Sequence, residues 1–359
     1  MIMRRDGYAR VALVGNPSDG FHGKTIALLI RNFAASVELW ESPELCIVLH
    51  PDHDPTTFAS LLELRTRAAS EGYYGGLRLI VATCKRFADE CLGRGVVLDR
   101  RQFTIRYHTT IPRQVGLGGS SAIITATFHA LMDFYRVPGA AFPLPKRPNV
   151  ILSVETEELG IQAGLQDRVV AVYGGLVYMD FAKKLLEQQG HGDYVRLDPG
   201  LVPPLFVAWG SPGTESGKAH SPIRTLWERE ERDDGPVHAA MKQFASFAEE
   251  GWDALQARDH TRLGQLMNEN FNLRRKLYAD DVIGRQTIRL VEIAREHGCP
   301  AKLPGSGGAV IGLVPADDAL WDELSAAYEA EGFLIERVMV DPLWPAPEEE
   351  AVRADLTDP

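Results

Sequence analysis

The sequence predicts an α+β protein of two domains, on the basis of three observations. Strand-like and helix-like runs are mixed along the chain, as in α+β folds. A glycine-rich loop occurs in each half, at residues 116–119 and at residues 305–308. A stretch rich in polar residues, glycine and proline, residues 183–204, separates the halves. We therefore place a domain boundary there and divide the chain into residues 1–195 and 196–359.

The first half is predicted to contain strands and helices in mixed order. Apolar and alternating runs predict strands at residues 9–14, 34–40, 45–49, 102–107 and 175–181. Residues 26–30 fit a strand or a helix. Apolar residues at helical spacing predict helices at residues 58–67, 77–92, 120–135 and 150–159. Between the first two helices, Tyr73 and Tyr74 lie among glycines, which fits a turn packed on the core or a wall for an adenine or sugar ring.

The second half is predicted to begin with a strand at residues 205–209. Three helices follow, at residues 236–257, 261–278 and 288–297. The glycine-rich loop then leads into a strand at residues 310–314. A helix at residues 318–331 and a strand at residues 333–340 complete this half, and the tail after Pro342 is predicted to be frayed.

The composition argues against several classes of protein. The chain of 359 residues is 45% hydrophobic and carries a net charge of −11, which is unlike a general binder of nucleic acid or of anionic membranes. No apolar run reaches membrane-spanning length, and the first residues lack the apolar core of a signal peptide. The cysteines have no metal-binding spacing and indicate reduced thiols in a cytoplasmic protein. The sequence does not indicate an oligomeric state.

Residues 112–122 carry the clearest functional signal. Their glycines can turn backbone N–H groups into one concavity, and the predicted helix that follows adds its free N–H groups and positive dipole end. Such a loop suits the phosphates of a nucleotide, and the hydroxyls of Ser120 and Ser121 suit a phosphate-bound Mg²⁺. The alternative is a glycine-rich turn followed by a serine N-cap. We assign ATP binding to Pro112, Gly116, Leu117, Gly118, Gly119, Ser120, Ser121 and Ala122.

An earlier loop, residues 15–25, ends in a sequence similar to a Walker A motif. The Gly-Lys-Thr at residues 23–25 fits that motif, but Ser18 stands where it needs a glycine. The loop therefore predicts a surface hairpin, in which Lys24 is either exposed or reaches a phosphate oxygen.

Two carboxylates in the first half are candidates for chemistry. Asp167 stands between two apolar stretches, where it acts either as a helix cap or as a functional acid. Glu155 lies twelve residues earlier, with Glu157 and Glu158 beside it as ordinary solvated residues.

Three motifs in this order resemble those of the GHMP kinases (galacto-, homoserine, mevalonate and phosphomevalonate kinases). Residues 10–19, RVALVGNPSD, resemble the first motif, residues 112–122 the ATP loop, and residues 302–308 the third motif. The segments GNPSD, EGYYGG, IPRQ, GLQDRV and SGKAHS resemble the glucuronokinase branch in particular. The resemblance implies an N-terminal domain like ribosomal protein S5 domain 2, a ferredoxin-like C-terminal domain, and an active site in the cleft.

The resemblance also implies roles for individual residues. Asp167 matches the catalytic aspartate, Arg10 the basic residue beside it, and Glu155 the magnesium-binding glutamate. Ser121 matches the serine that meets Mg²⁺ and phosphate, and Asp19 an aspartate that binds sugar hydroxyls. Further substrate contacts are assigned to Asn16, Lys24, Arg113, Arg168, Gly305, Gly307 and Gly308.

Two positions depart from the family pattern. Galactokinases have Glu-His where this chain has Asn16 and Pro17, which argues against galactose as the substrate. Gly119 often holds a serine in the family, so either Ser120 or Ser121 can be the serine that meets the metal.

The implied activity is that of a sugar 1-kinase, which transfers the γ-phosphate of ATP to D-glucuronate and yields glucuronate 1-phosphate. Mg²⁺ is the implied cofactor. Phosphoryl transfer needs positioning and charge neutralisation more than covalent chemistry. The sugar carboxylate is expected to meet Arg113 or Arg168, with Lys218 as the next candidate, although Arg168 fits a structural ion pair equally well. Alternatives are a GHMP kinase acting on a neutral sugar or a mevalonate-type acid, and a catalytically inactive binding protein of the same fold.

Overall fold

The computed structural model describes residues 2–71, 75–210, 223–230 and 235–341. The predicted ring wall of Tyr73 and Tyr74, the SGKAHS segment with Lys218, and the predicted tail after Pro342 lie outside these residues. In the described part of the chain, no helix is long and apolar enough to span a lipid bilayer.

The first sheet is built around one long strand. Its strands are β1 (Ile2–Val14), β2 (Lys24–Ser42), β3 (Cys46–Val48), β4 (Gln102–Thr109), β5 (Leu176–Asp180) and β6 (Asp193–Leu197). β1 and β2 pair antiparallel along most of their length. The other edge of β2 pairs with β5 near its start and with β4 near its end. β3 adds to β4 in parallel, and β6 adds to β5 antiparallel.

The helices of the first half support the ATP loop. They are α1 (Leu61–Glu71), α2 (Gly76–Gly93), α3 (Gly119–Phe134), α4 (Arg147–Ser153), α5 (Gln166–Tyr173) and α6 (Lys183–Gln189). A π-helical turn, Val154–Glu158, continues α4. Because α3 packs against β1, β2 and α2, most of its residues are buried, including Ile124, Phe128 and Leu131. The N-terminus of α3 is therefore fixed at the glycine loop.

The second sheet has the strand order of a ferredoxin-like domain. Its strands are β7 (Leu205–Trp209), β8 (Ala301–Lys302), β9 (Ala309–Leu313) and β10 (Leu334–Arg337), arranged as β10-β7-β9-β8 with antiparallel neighbours. Its helices are α7 (Ile223–Arg229), α8 (Pro236–Gln256), α9 (His260–Tyr278), α10 (Asp280–Ile283), α11 (Arg285–Glu296) and α12 (Asp318–Ala330). Helices separate β7 from β8 and β9 from β10, which gives a βαββαβ unit. The predicted two-domain α+β fold is confirmed.

The two halves share a hydrophobic cluster that contains residues of both, such as Val14 and Phe247, and a second cluster lies within the second half. Gly251 of α8 lies so close to β1 that an added Cβ would be 2.7 Å from Val14 Cγ2. At the far end of the chain, Asp341 N donates to Leu29 O and the Arg31 side chain pairs with Asp341. The chain therefore returns to the first sheet after completing the second.

Several predicted elements differ from those observed. Residues 26–30 belong to strand β2, which continues through residues 34–40. The polar residues Arg31 and Asn32 resemble a break between two strands, but their side chains bond to Asp341 and Glu336. α4 ends at Ser153, and the π-helical turn Val154–Glu158 follows it. The predicted helix at residues 150–159 is therefore not one continuous α-helix. The polar stretch 183–204 contains α6 and β6. Because β6 pairs with β5 through Leu197 and β7 begins at Leu205, we propose that the domain division lies between these two residues.

Candidate active site

The two glycine-rich loops pack directly against each other. A Cβ on Gly305 would lie 2.0 Å from Gly116 O, and a Cβ on Gly116 would lie 2.8 Å from Ser306 N. Only residues without a Cβ permit this approach. Gly118, with φ of 77°, is the residue that leads into α3. The loop at residues 305–308 therefore fixes the shape of the loop that precedes α3.

Arg10 of β1 joins these loops to α5. Its Nε donates to Asp167 Oδ1 at 2.5 Å and its Nη2 to Asp167 Oδ2 at 2.8 Å. Its Nη1 donates to Gly116 O and Pro304 O at 2.7 and 2.8 Å. The structure thus brings the predicted partners Arg10 and Asp167 together, with Arg10 only 7% exposed.

Asp167 lies in the first turn of α5, where the helix dipole favours a negative charge. Both carboxylate oxygens accept hydrogen bonds from Arg10, and Leu165, the residue before α5, makes no side-chain cap. About a sixth of the side chain stays exposed, with a relative accessibility of 17%. Asp167 is therefore fixed in orientation and reachable, as a group that accepts a proton from a substrate must be.

Asp19 lies close to Asp167. It follows β1 in the short turn Ser18–Phe21, and a Cβ on Gly164 would lie 2.6 Å from Asp19 Oδ2. Burial, followed by the negative charge of Asp167, raises the pKa of Asp19 to about 6. The two carboxyl groups therefore influence each other electrostatically, and the binding of sugar hydroxyls by Asp19 stays a prediction.

Glu155 and Arg168 form an ion pair in the interior. Each is 3% exposed, and the Arg168 guanidinium contacts Glu155 Oε2 and donates to Gly164 O at 3.0 Å. Burial, with the charge of Arg10 as a second cause, lowers the pKa of Arg168 to about 9. Arg168 thus has the structural ion pair that was one of its two expected roles.

The neighbours of Glu155 point away from this interior pair. Glu157 pairs with Arg86 at 2.7 Å and Glu158 with Lys85 at 2.9 Å, both on α2. These ion pairs hold the π-helical turn against α2, and Glu155 is the buried carboxylate of the turn.

Ser121 has an unsatisfied hydroxyl. The residue is 2% exposed, and its Oγ has no hydrogen-bond partner within the described ranges, an arrangement that costs free energy unless a ligand completes it. Ser120 is half-buried. Within the described ranges, no three His, Cys, Asp or Glu side chains gather as a metal cluster. Oxygen ligands of this kind suit Mg²⁺, but the Glu155 carboxylate is paired with Arg168 in this structure, so the metal role of Ser121 and Glu155 stays a prediction.

Asn16 contacts the third motif. Its Nδ2 donates to Leu303 O at 3.3 Å, and its Oδ1 accepts from Lys302 Nζ. Lys302 also donates to Ala12 O and Leu303 O and is 1% exposed. Burial lowers the pKa of this ammonium well below its ordinary value. A direct contact between Asn16 and substrate stays a prediction.

Other predicted contacts have partners in the protein. Lys24 Nζ forms ion pairs with Glu249 and with Asp180, the latter at 3.3 Å. Gly308 N donates to Thr287 Oγ1 at 3.0 Å, and Gly307 lies over the same threonine. Their contacts with substrate also stay predictions.

The ends of the ATP loop differ in their surroundings. Pro112 is partly exposed, whereas Ala122 lies in the first turn of α3 and contacts Gly7 of β1. The charge of Arg113 acts on His53 and Tyr107, and its contact with substrate stays a prediction.

Arg274 of α9 was not identified from the sequence as a candidate site residue. It is 7% exposed and its Nη1 donates to Gly305 O at 2.7 Å. In the sequence it opens the run Arg-Arg-Lys at residues 274–276, which is typical of a solvated helix face. Only the fold reveals that the first of these cations faces the glycine loops.

The fold and the site together define an ATP-dependent kinase for small molecules. A glycine loop opens a buried helix, and an arginine-held aspartate lies beside it. Residues 78–175 match the family model described as GHMP kinases N terminal domain, and residues 253–330 match the one described as GHMP kinases C terminal. The chain belongs to the GHMP kinase family.

Individual relatives are similar over most of the chain. The chain is 44% identical to Glucuronokinase 1 of Arabidopsis thaliana, over 93% of this chain and 91% of the relative. It is 43% identical to Probable glucuronokinase 2 of the same plant, over 95% and 92%. A crystal structure of Lactococcus lactis galactokinase complexed with galactose is similar in fold, with a TM-score of 0.72, 16% identity, and coverage of 95% of this chain and 94% of that one.

Proposed function

We propose that this protein is a glucuronate 1-kinase, which transfers the γ-phosphate of ATP to the anomeric hydroxyl of D-glucuronate. The observation that carries a kinase reaction is Asp167, held by two hydrogen bonds from Arg10 beside the ATP loop. The observation that favours glucuronate is the identity of 43–44% to plant glucuronokinases over nearly the whole chain.

The residues of the site divide the work of phosphoryl transfer. The N–H groups of the glycine loop and the N-terminus of α3 hold the phosphates of ATP. Asp19 accepts hydrogen bonds from sugar hydroxyls, which orients the sugar. Asp167 accepts the proton of the attacking hydroxyl, or orients that hydroxyl, while Arg10 fixes the direction of the carboxylate.

Mg²⁺ is the proposed cofactor. Ser121 and Glu155 would hold it together with phosphate oxygens, and it would neutralise part of the phosphate charge. We propose the cytoplasm as the compartment, since Cys46, Cys84, Cys91 and Cys299 are all unpaired.

A coupled assay of ADP release tests the proposal. The acceptors are D-glucuronate, D-galacturonate, D-glucose, D-galactose and mevalonate, each with Mg²⁺-ATP. We expect the highest kcat/KM with D-glucuronate and a ³¹P NMR signal of an anomeric phosphate. If glucose were phosphorylated as well as glucuronate, the uronate assignment would be wrong. Turnover of none of the acceptors would favour the inactive binding protein.

A further inference from the structure

The proposed reaction leaves one substrate group without an assigned partner, the C6 carboxylate of the uronate. A carboxylate that enters a cleft loses water and needs a cation or several N–H donors in exchange. Arg168, one sequence candidate, is already paired with Glu155. Arg113, the other, is close enough to His53 and Tyr107 for its charge to act on both.

Arg274 is a buried cation that has no carboxylate partner among the described residues. It is 7% exposed, and in the described part of the chain no Asp or Glu oxygen lies within 4.0 Å of its guanidinium. Its Nη1 donates to Gly305 O at 2.7 Å, but the bond from Nη2 to Ser306 O is long, at 3.4 Å. Its Nε has no partner among the described residues. A buried guanidinium in this state is costly unless an anion joins it.

The position of Arg274 relates it to the sugar subsite. Its guanidinium lies 5.4 Å from the centre of the Tyr278 ring. The negative charge of Asp19 acts on both Arg274 and Tyr278, and the positive charge of Arg10 acts on Arg274. The geometry agrees, because Arg274 Nη1 donates to Gly305 O and a Cβ on Gly305 would lie 2.6 Å from Arg10 Nη1. Arg274 and Arg10 therefore contact the same glycine at the site.

Lys302 shows what a structural buried cation looks like in the same region. Its ammonium has three N–H groups, and acceptors are present for all of them in Ala12 O, Asn16 Oδ1 and Leu303 O. Arg274 differs, because the N–H at Nε has no acceptor and one of its two bonds is weak. If Arg274 only supported the Gly305 loop, its Nε would have no acceptor and its Nη2 would have only a weak one among the described residues.

We propose that Arg274 receives the carboxylate of the uronate, while Asp19 binds hydroxyl groups of the same sugar. This inference rests on the proposed glucuronate kinase activity. An arginine fork meets a carboxylate with two parallel hydrogen bonds, and a lysine cannot reproduce them. Glucose carries a neutral CH₂OH at this position and leaves the guanidinium without its anion, so the site rejects it.

The test compares Arg274→Gln and Arg274→Lys with the wild type in the ADP-release assay. The matched control is Arg258→Gln, since Arg258 also lacks a carboxylate partner in the described chain but is exposed to water and lies outside the proposed sugar site. Its Nη1 donates to Gly200 O at 3.0 Å, so it resembles Arg274 in bonding a backbone carbonyl. Each variant is assayed with glucuronate and with glucose. Its melting temperature is recorded without glucuronate and with glucuronate at about 10 times KM, which is nearly saturating.

We expect Arg274→Gln to lower kcat/KM for glucuronate by about 100-fold, as for loss of a charged hydrogen-bonded pair, and to change kcat/KM for glucose by less than about 3-fold. Arg274→Lys keeps the charge but not the fork, so we expect a loss of about 10-fold. Arg258→Gln should keep the wild-type preference. Glucuronate should raise the melting temperature of the wild type and of Arg258→Gln, but not of Arg274→Gln.

Two outcomes would overturn the inference while the proposed function stands. One is a folded Arg274→Gln enzyme that still prefers glucuronate as strongly as the wild type does. The other is failure of both Arg274 variants to fold, which would show that Arg274 serves to hold the Gly305 loop in place. A wild type without preference for glucuronate would instead overturn the proposed function itself.

Discussion

Arg10 and Asp167, 157 positions apart in the chain, meet through two nearly parallel hydrogen bonds of 2.5 and 2.8 Å. The same guanidinium also bonds the carbonyls of Gly116 and Pro304, one from each glycine loop. The orientation of the proposed catalytic carboxylate thus depends on the packing of both halves of the chain.

Asp167→Asn is expected to keep the fold and lose about 10²–10⁴-fold in kcat, as for loss of a positioned acid–base group. The free energy of unfolding should fall by roughly 1–3 kcal/mol, because Arg10 loses a charged partner but keeps its two carbonyl bonds. Stopped assays of ADP release and thermal melts measure both quantities. Glu157→Gln, which removes an exposed carboxylate, serves as the control. Near-wild-type kcat in Asp167→Asn would show that Asp167 has no catalytic role.

Glu155→Gln is expected to raise the Mg²⁺ concentration for half-maximal activity by about 10-fold, since an amide is a poorer ligand for this hard cation. The variant should also be less stable, because Arg168 loses its buried partner. The measurement is a Mg²⁺ titration at saturating ATP and sugar. Glu157→Gln and Glu158→Gln are the matched controls on the same turn. A shifted titration in a control, with Glu155→Gln unchanged, would move the metal ligand to that neighbour.

Gly118→Ala is expected to lower both stability and kcat. Its φ of 77° is unfavourable for alanine, and the new Cβ would lie 2.9 Å from Arg10 Cγ and 3.7 Å from Asp167 Oδ2. Gly190→Ala is the control, because Gly190 has nearly the same φ, 76°, but no atom within 4 Å of the added Cβ. Backbone strain alone should cost both variants about 1 kcal/mol. Only Gly118→Ala should also lose activity, and equal kcat in the two variants would exclude an effect through the Arg10–Asp167 pair.

Asp19 should make the stability of the protein depend on pH. Burial and the charge of Asp167 raise its folded-state pKa to about 6 from the ordinary value of 3.8. Between pH 3.8 and about pH 6 the folded protein binds this proton more tightly than the unfolded chain does. The stabilisation that the bound proton gives the folded state is therefore fully present below pH 3.8 and is lost as the pH rises through about 6. Asp19→Asn removes the titrating group. Its stability relative to the wild type should therefore increase from pH 4 to pH 7 in denaturant titrations, and a constant difference would contradict the raised pKa.

The sequence predicts the parts of this fold that carry strong local signals. The buried helix α3 and the amphipathic α2 were placed within a residue or two of their observed ends, because apolar periodicity and flanking glycines define them. By contrast, β6 is a short edge strand in a polar stretch, and β2 continues through Arg31 and Asn32 only because residues 336–341 supply partners. Such tertiary partners are invisible in a local window.

The residues of the candidate site also divide into those with a local sequence signal and those whose role depends on distant parts of the chain. Gly116 and Asp167 are recognisable because glycine punctuation and an isolated carboxylate stand out in the sequence. Arg274 does not stand out, because an arginine on a helix is normally solvated, and its burial depends on where Gly305 lies. Sequence motifs therefore point to the glycine loops and to Asp167 more clearly than to Arg274, the residue proposed to distinguish a uronate from a neutral sugar.

The contact between Gly116 and Gly305 also limits how such a chain can change over evolutionary time. Each glycine is needed because the other half of the chain comes so close, with a Cβ on Gly305 lying 2.0 Å from Gly116 O. A side chain at one position would require the opposite loop to move, so the two loops must be inherited as a unit. A chimera of this first half with a relative's second half is therefore expected to bind nucleotide only if the incoming loop has glycine at the position that faces Gly116.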